Sequence, residues 1–122
     1  MNRVTHKRRQ DMQEIAFEVQ GSAPDPYRVV FVKRSDANLS AYCSCPAGEN
    51  GLYCKHRFNI LEGMKKGIVS DNLEDVKVVQ SWLPGTDLGD AIQKMQELES
   101  ETARIKKELS AAKKVVAKAM RD

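Results

Sequence analysis

Cys43, Cys45, Cys54 and His56 stand in the order Cys-x-Cys, eight residues, Cys-x-His. Thiolate and imidazole are the ligands a tetrahedral zinc ion favours, and two closely spaced pairs on two backbone segments converge readily on one ion. Gly48 and Gly51 in the connection let the chain fold back tightly. Two other readings are open: Cys43-Ser44-Cys45 as a redox pair, or three unrelated buried thiols. Zinc is preferred because it uses all three cysteines and one of only two histidines at ligand spacing. The other histidine, His6, lies in a basic tail and is assigned no role. Four protein ligands leave no position for an activated water. The expected site is therefore structural, with one Zn2+ per chain, and its loss should unfold the surrounding head.

The residues that position this site fall into a small antiparallel sheet followed by a helix. Residues 15–20 alternate in part, with Phe17 and Val19 on one face, and end at Gly21-Ser22. Ala23-Pro24-Asp25-Pro26 is a stiff connection, since each proline fixes its φ and removes an amide donor. Residues 27–33 are rich in β-branched and aromatic side chains, Ser35-Asp36-Ala37-Asn38 reads as a turn, and a third strand over 39–42 runs into Cys43. The first ligand pair thus comes off a strand end. Beyond Cys54 the period changes to that of a helix, with Phe58, Leu61 and Met64 on one face and Gly67 as its stop. The second pair opens that helix, whose dipole favours the Cys54 thiolate. Asp71 and Glu74 form a candidate capping box for a short second helix lined by Leu73, Val76, Val79 and Leu83. Leu83-Pro84-Gly85 ends it, and Trp82 reads as a hinge anchor between the parts or an exposed partner contact, burial being the commoner fate of the residue type.

This arrangement resembles the SWIM zinc finger over roughly residues 15–64. In that family a β-hairpin leads into the paired cysteines and Cys-x-His opens a helix. Cys43, Cys45, Cys54 and His56 match its four ligands one for one, and Pro46, Gly48 and Lys55 fit its usual surroundings. The resemblance implies an α+β fold, a ββα-like finger around structural zinc, and binding to DNA or to proteins. Many such modules are embedded in transposases, chromatin-remodelling ATPases or ubiquitin ligases, and none of those catalytic domains is found here. A short chain of this kind is similar to accessory proteins that assist recombinases or are carried by phages and other mobile elements.

The most regular segment comes last. Leu88, Ala91, Met95, Leu98, Thr102, Ile105, Leu109, Ala112, Val116 and Ala119 recur every third and fourth residue, an unbroken heptad seam on a helix about 50 Å long. With Leu88 at position a, a parallel homodimer sets Lys94 against Glu99, Glu101 against Lys106 and Glu108 against Lys113, all opposite in sign. An antiparallel pair gives no such uniform matching. Folding back as a hairpin on the head or the short helix stays open, because alanine at three d positions and Thr102 at an a position make the seam thin. The organisation expected is a basic segment over 1–14, the finger over 15–67, a short helix and linker over 68–86, and the amphipathic helix over 87–121.

Composition narrows the function without choosing it. In 122 residues, 20 Lys and Arg against 17 Asp and Glu give a net charge of +3, which permits nucleic-acid contact and falls short of arguing for it. No apolar run suits a membrane span or a secretory signal, and an odd cysteine count does not complete a disulfide framework, so a cytoplasmic or other intracellular place is expected, nucleoid or nucleus included. The candidate phosphate contacts are Arg3, Lys7, Arg8 and Arg9 in the tail and Lys33, Arg34, Lys55 and Arg57 around the finger. No phosphate-cradling loop or Ser-His-Asp set is present, so neither catalysis nor a small-molecule substrate is expected. Two functions remain: a bivalent module engaging DNA or a nucleic-acid-processing protein, and an adaptor or inhibitor that docks on protein alone.

Overall fold

The β-branched and aromatic run after the two prolines becomes the central strand of the fold. The structure, a computed structural model, describes residues 12–122. Strands β1 (Gln13–Val19), β2 (Tyr27–Ser35) and β3 (Asn38–Cys43) form one antiparallel sheet in the order β1-β2-β3. Register pairs Phe17 with Val29 and Val29 with Cys43, so these three residues share a face. That face carries the core: Phe17, Val29 and Phe31 are fully buried, and the Phe17 and Phe31 rings meet edge to face at 6.1 Å. A register shift between Lys33 and Ser35 lets the chain turn through Asp36 and Ala37 into β3.

Four helices follow: α1 (Pro46–Glu49), α2 (Lys55–Leu61), α3 (Asp75–Trp82) and α4 (Asp87–Arg121). Ile60 and Leu61 of α2 and Val76, Val79 and Trp82 of α3 complete the core, and Trp82 is buried as anticipated. The antiparallel sheet, the finger helix, the short helix and the long final helix thus follow the expected α+β order.

Several local expectations are corrected. β1 starts at Gln13, inside the segment assigned to the basic tail. The four-residue helix α1 occupies what was expected to be a loop. Helix α2 ends at Leu61, because Gly63 already takes a positive φ of 88°, and Met64 is left exposed beyond it. Gly67, the expected stop, instead accepts the Gln20 amide, and Val69 donates to the Glu18 carbonyl, so the chain after α2 runs along the free edge of β1. The Asp71 and Glu74 capping box does not form: Glu74 makes no side-chain cap, and Leu73 is exposed. Asn72 does the local work, donating from Nδ2 to the Ala16 carbonyl and to Asp75 Oδ2.

The chain divides into two compact units, Met1–Gly89 and Asp90–Asp122. Within the first, the start of α4 is fastened to the β2-β3 turn. Asp87 donates its amide to the Ala37 carbonyl, and its carboxylate accepts from the Leu39 and Leu88 amides and from Asn38 Nδ2. Those backbone donors, Leu39 first, hold the Asp87 carboxyl below the usual carboxylate range. Thr86 is fully buried; its Oγ1 accepts the Gly89 amide at 3.0 Å and donates to the Leu83 carbonyl at 2.6 Å. Thr86→Ala removes that cap, and urea unfolding of the zinc-loaded protein should show a loss of about 1 to 2 kcal/mol. In the second unit the helix runs unbroken with no buried residue. No helix among the described residues is long and apolar enough to cross a membrane.

Candidate metal centre

Alternation along a strand sends residues two apart to the same side, and this places the first ligand pair. Cys43 ends β3 on the core face, Ser44 turns outward to accept the Arg28 amide, and Cys45 returns to the side of Cys43. The chain then enters α1 with Pro46 in its first turn and Cys45 as its N-cap. Two amides aim at sulfur: Cys45 N–H towards Cys43 Sγ at 3.5 Å and Gly48 N–H towards Cys45 Sγ at 3.3 Å. Such donors favour the thiolate that a metal requires. A Cβ on Gly48 would strike the Cys43 carbonyl oxygen, so the return of the chain against its own ligand strand requires glycine. Gly51, at φ +72°, supplies the turn that brings the chain back to Cys54.

Cys54 is the extended residue capping α2, and His56 lies within its first turn. Cys45 and Cys54 Sγ are 3.5 Å apart, and His56 Nδ1 lies 3.8 Å from Cys43 Sγ and 3.7 Å from Cys54 Sγ. All four ligand atoms fall within 4.8 Å of one another. A tetrahedron with Zn–S bonds of about 2.3 Å has edges of roughly 3.8 Å, so the set has the dimensions of a closed zinc site. The three thiols are buried and His56 is half-buried. These residues are positioned to bind one zinc ion, which when bound supplies a tetrahedral cross-link between the strand end and the helix start.

Electrostatics separates the thiols of the metal-free arrangement. Burial pushes the Cys43 thiol up to about 12. Burial also acts upward on Cys54, but the Arg57 backbone amide, the Cys45 thiol and the Arg57 side chain outweigh it and bring Cys54 down to about 6, although its side chain makes no capping hydrogen bond. A second layer holds the ligands in place. The Tyr27 ring centre lies 5.1 Å from that of His56, and a Cβ on Gly21 would meet both rings. Arg57 donates Nη1 to the Ala41 carbonyl at 3.1 Å and Nη2 to the Leu52 carbonyl, tying β3 to the loop that delivers Cys54.

The candidate phosphate contacts are scattered by this fold. Arg57 is half-buried and occupied in that clamp. Lys33 lies on the core side of the sheet, its Nζ 3.4 Å from the Trp82 carbonyl. Arg34 projects from the opposite face, where it donates to Tyr42 Oη at 3.0 Å and, with Ser40, lowers the Tyr42 phenol. Lys55 is exposed at the start of α2. Arg3, Lys7, Arg8 and Arg9 lie outside the described residues. Beside the ligands runs a groove of about 680 Å³, bounded by Gln20 to Ser22, Tyr27, Pro46, Tyr53, Lys55, Asn59 and Lys66. Tyr27, Tyr53 and Lys66 were not singled out as site residues in the sequence, since only the path of the chain along β1 brings residues 66 and 67 beside the finger.

On α4 the seam residues Leu98, Ile105, Leu109 and Val116 are each about half exposed in the single chain, while Leu88 and Met95 are partly covered. Thr102, the polar member of the seam, donates to the Leu98 carbonyl at 2.8 Å and so satisfies its hydroxyl within its own helix.

Comparison with known proteins adds one finding. No curated protein and no solved structure gives a match to the chain. The family model described as SWIM zinc finger matches residues 17–57, from the middle of β1 to one residue past the last ligand. That span contains the hairpin, both ligand pairs and the converging Cys3His set, so the part of the chain that is similar to the SWIM zinc finger is the part that brings the four ligands together.

Proposed function

We propose that the zinc-stapled head engages DNA or a nucleic-acid-processing protein, and that the chain acts as a homodimer through α4 inside the cell. One observation carries the first part. The groove beside the zinc ligands presents Lys55 and Lys66 with Tyr27 and Tyr53, and no carboxylate is among the described residues that line it. Ammonium groups there would neutralise phosphates, and the two tyrosines offer flat faces to an exposed base. The reading is of a binding module and not of a catalyst, because four protein ligands close the coordination sphere of the ion.

A protein partner is favoured by a different observation. Leu52 and Tyr53 are 60% and 63% exposed on the loop before Cys54, a small apolar outcrop suited to docking on another protein. Fluorescence polarisation of the zinc-loaded full chain with a labelled DNA, repeated across a salt series, separates the two. For DNA, affinity should fall steeply with salt, and the double change Lys55→Ala with Lys66→Ala should reduce the logarithmic salt slope by about 2 and weaken binding about tenfold or more. Zinc stoichiometry should stay at one ion per chain. No DNA binding, together with a stoichiometric complex lost on Leu52→Asp, would establish the protein-only adaptor instead.

A further inference from the structure

The seam accounts for one side of α4, and the opposite side is unlike an ordinary solvated face. At about 100° per residue, Arg104, Lys107, Lys114, Lys118 and Arg121 fall within roughly 100° of arc, centred about 160° from the seam. They occupy positions c and f of the heptads, and between residues 103 and 121 the other residues at b, c and f are only alanine or serine. No carboxylate interrupts it. The stripe is about 26 Å long, every one of its five cations is exposed, and the small residues between them leave a flat approach.

Two ordinary explanations fall short. Cations favour the carboxyl end of a helix dipole, but that effect fades within the last turn, which holds Lys118 and Arg121 and leaves Arg104, Lys107 and Lys114 unexplained. Pairing within the helix is limited among the described residues to one ion pair, Arg104 Nη1 to Glu108 Oε1 at 3.2 Å. Both side chains of that pair are about two thirds exposed, so it contributes little and yields easily to a stronger anion.

We propose that the carboxyl-terminal half of α4 is a second nucleic-acid surface, on which Arg104, Lys107, Lys114, Lys118 and Arg121 contact the phosphate backbone of duplex DNA without reading its sequence. The geometry fits that occupant. A DNA major groove admits one α-helix, and cations spaced by about a turn reach phosphates on its two walls. The face offers no Asn, Gln or Glu for base edges, so the contacts position the chain and carry no sequence preference. An anionic membrane is disfavoured, because an interfacial helix buries its apolar side and places its cations on the flanks, whereas this stripe would point away from the lipid. The surface shares no residue with the groove at the zinc finger, and it leaves the seam free for a second chain.

The test uses the zinc-loaded full chain and a labelled duplex of random sequence. Changing all five residues to glutamine preserves helix propensity, which circular dichroism checks. The variant should lose about 4 from the logarithmic salt slope and bind about 100-fold or more weakly at physiological salt. A control variant, Lys94→Gln, Lys106→Gln and Lys113→Gln, removes positive charge from the flanks of the seam and should lose far less per charge. An unchanged slope in the five-fold variant would overturn the proposal, as would an equal loss per charge in the control, which would mark a net-charge effect. Stripe-dependent binding to phosphatidylserine vesicles without binding to the duplex would overturn the DNA assignment. Loss confined to the Lys55 and Lys66 changes would remove the stripe and keep the finger.

Discussion

Removing zinc with a strong chelator unfolds the head, and Cys54→Ser or His56→Ala has the same result in metal-replete buffer. The expectation rests on magnitude. Structural zinc contributes on the order of 10 kcal/mol in finger peptides, comparable to the whole stability of about 5 to 15 kcal/mol of an ordinary domain. The core around Phe17, Phe31 and Trp82 is small. Without the ion, three thiols and an imidazole crowded within 4.8 Å lose the contact that justified burying them. Trp82, 7% exposed, is the reporter: its fluorescence should shift to that of solvated indole on chelation. Far-ultraviolet circular dichroism should keep much of its helical signal, since α4 spans 35 residues and is long enough to persist by itself. Unchanged Trp82 emission after verified zinc removal would reduce the metal to an accessory of a self-sufficient core.

Removal of one cap illustrates how differently the rest of the fold is held. Thr86→Ala is expected to cost an order of magnitude less in energy than the zinc, because the hydroxyl satisfies one amide of α4 while Asp87 retains three hydrogen bonds to the hairpin, with Ala37, Asn38 and Leu39.

What the sequence disclosed follows the range of the interactions involved. The zinc ligands were legible because both knuckles are local: Cys43 and Cys45 share a side by strand alternation, and Cys54 and His56 sit within one turn at a helix start. The central strand was legible from Val29, Val30, Phe31 and Val32. The end of α2 was not, since Met64 continues the apolar period and only the backbone at Gly63 breaks it. The start of α3 was misplaced for a similar reason. Asn72 acts through the Ala16 carbonyl, a contact 56 residues distant that no capping pattern encodes. Lys66 joined the groove through pairing of residues 67 to 69 with β1, which is equally non-local. On α4 the heptad pattern drew attention to the seam and its flanks. The cations opposite were visible in the letters, and the helix expected over 87–121 already placed them on one face.

Zinc affinity should rise steeply with pH, and the steepness reports what the head looks like without its metal. Zinc binds thiolates, so every proton that must leave a cysteine adds about one tenfold gain in affinity per pH unit while the pH lies below that group's pKa. In an unfolded metal-free head the three thiols revert to about 8.5, and at pH 7 nearly all are protonated. Zinc uptake then expels three thiol protons, and between pH 6.5 and 7.5 affinity should climb about 1000-fold from the thiols alone. A metal-free pocket that kept its shape would behave otherwise. Cys54, held at about 6, would already be a thiolate at pH 7 and release almost no proton, whereas Cys43, pushed to about 12, would still release one. The sign is the same in both cases, but the slope is lower by about one proton in the preformed pocket. Competition titrations against a chromophoric chelator, carried out at several pH values with proton release followed in weak buffer, measure that slope directly. A thiol contribution near three agrees with the collapse expected on chelation; a value near two would mean that β3 and α2 hold the ligands together before the ion arrives.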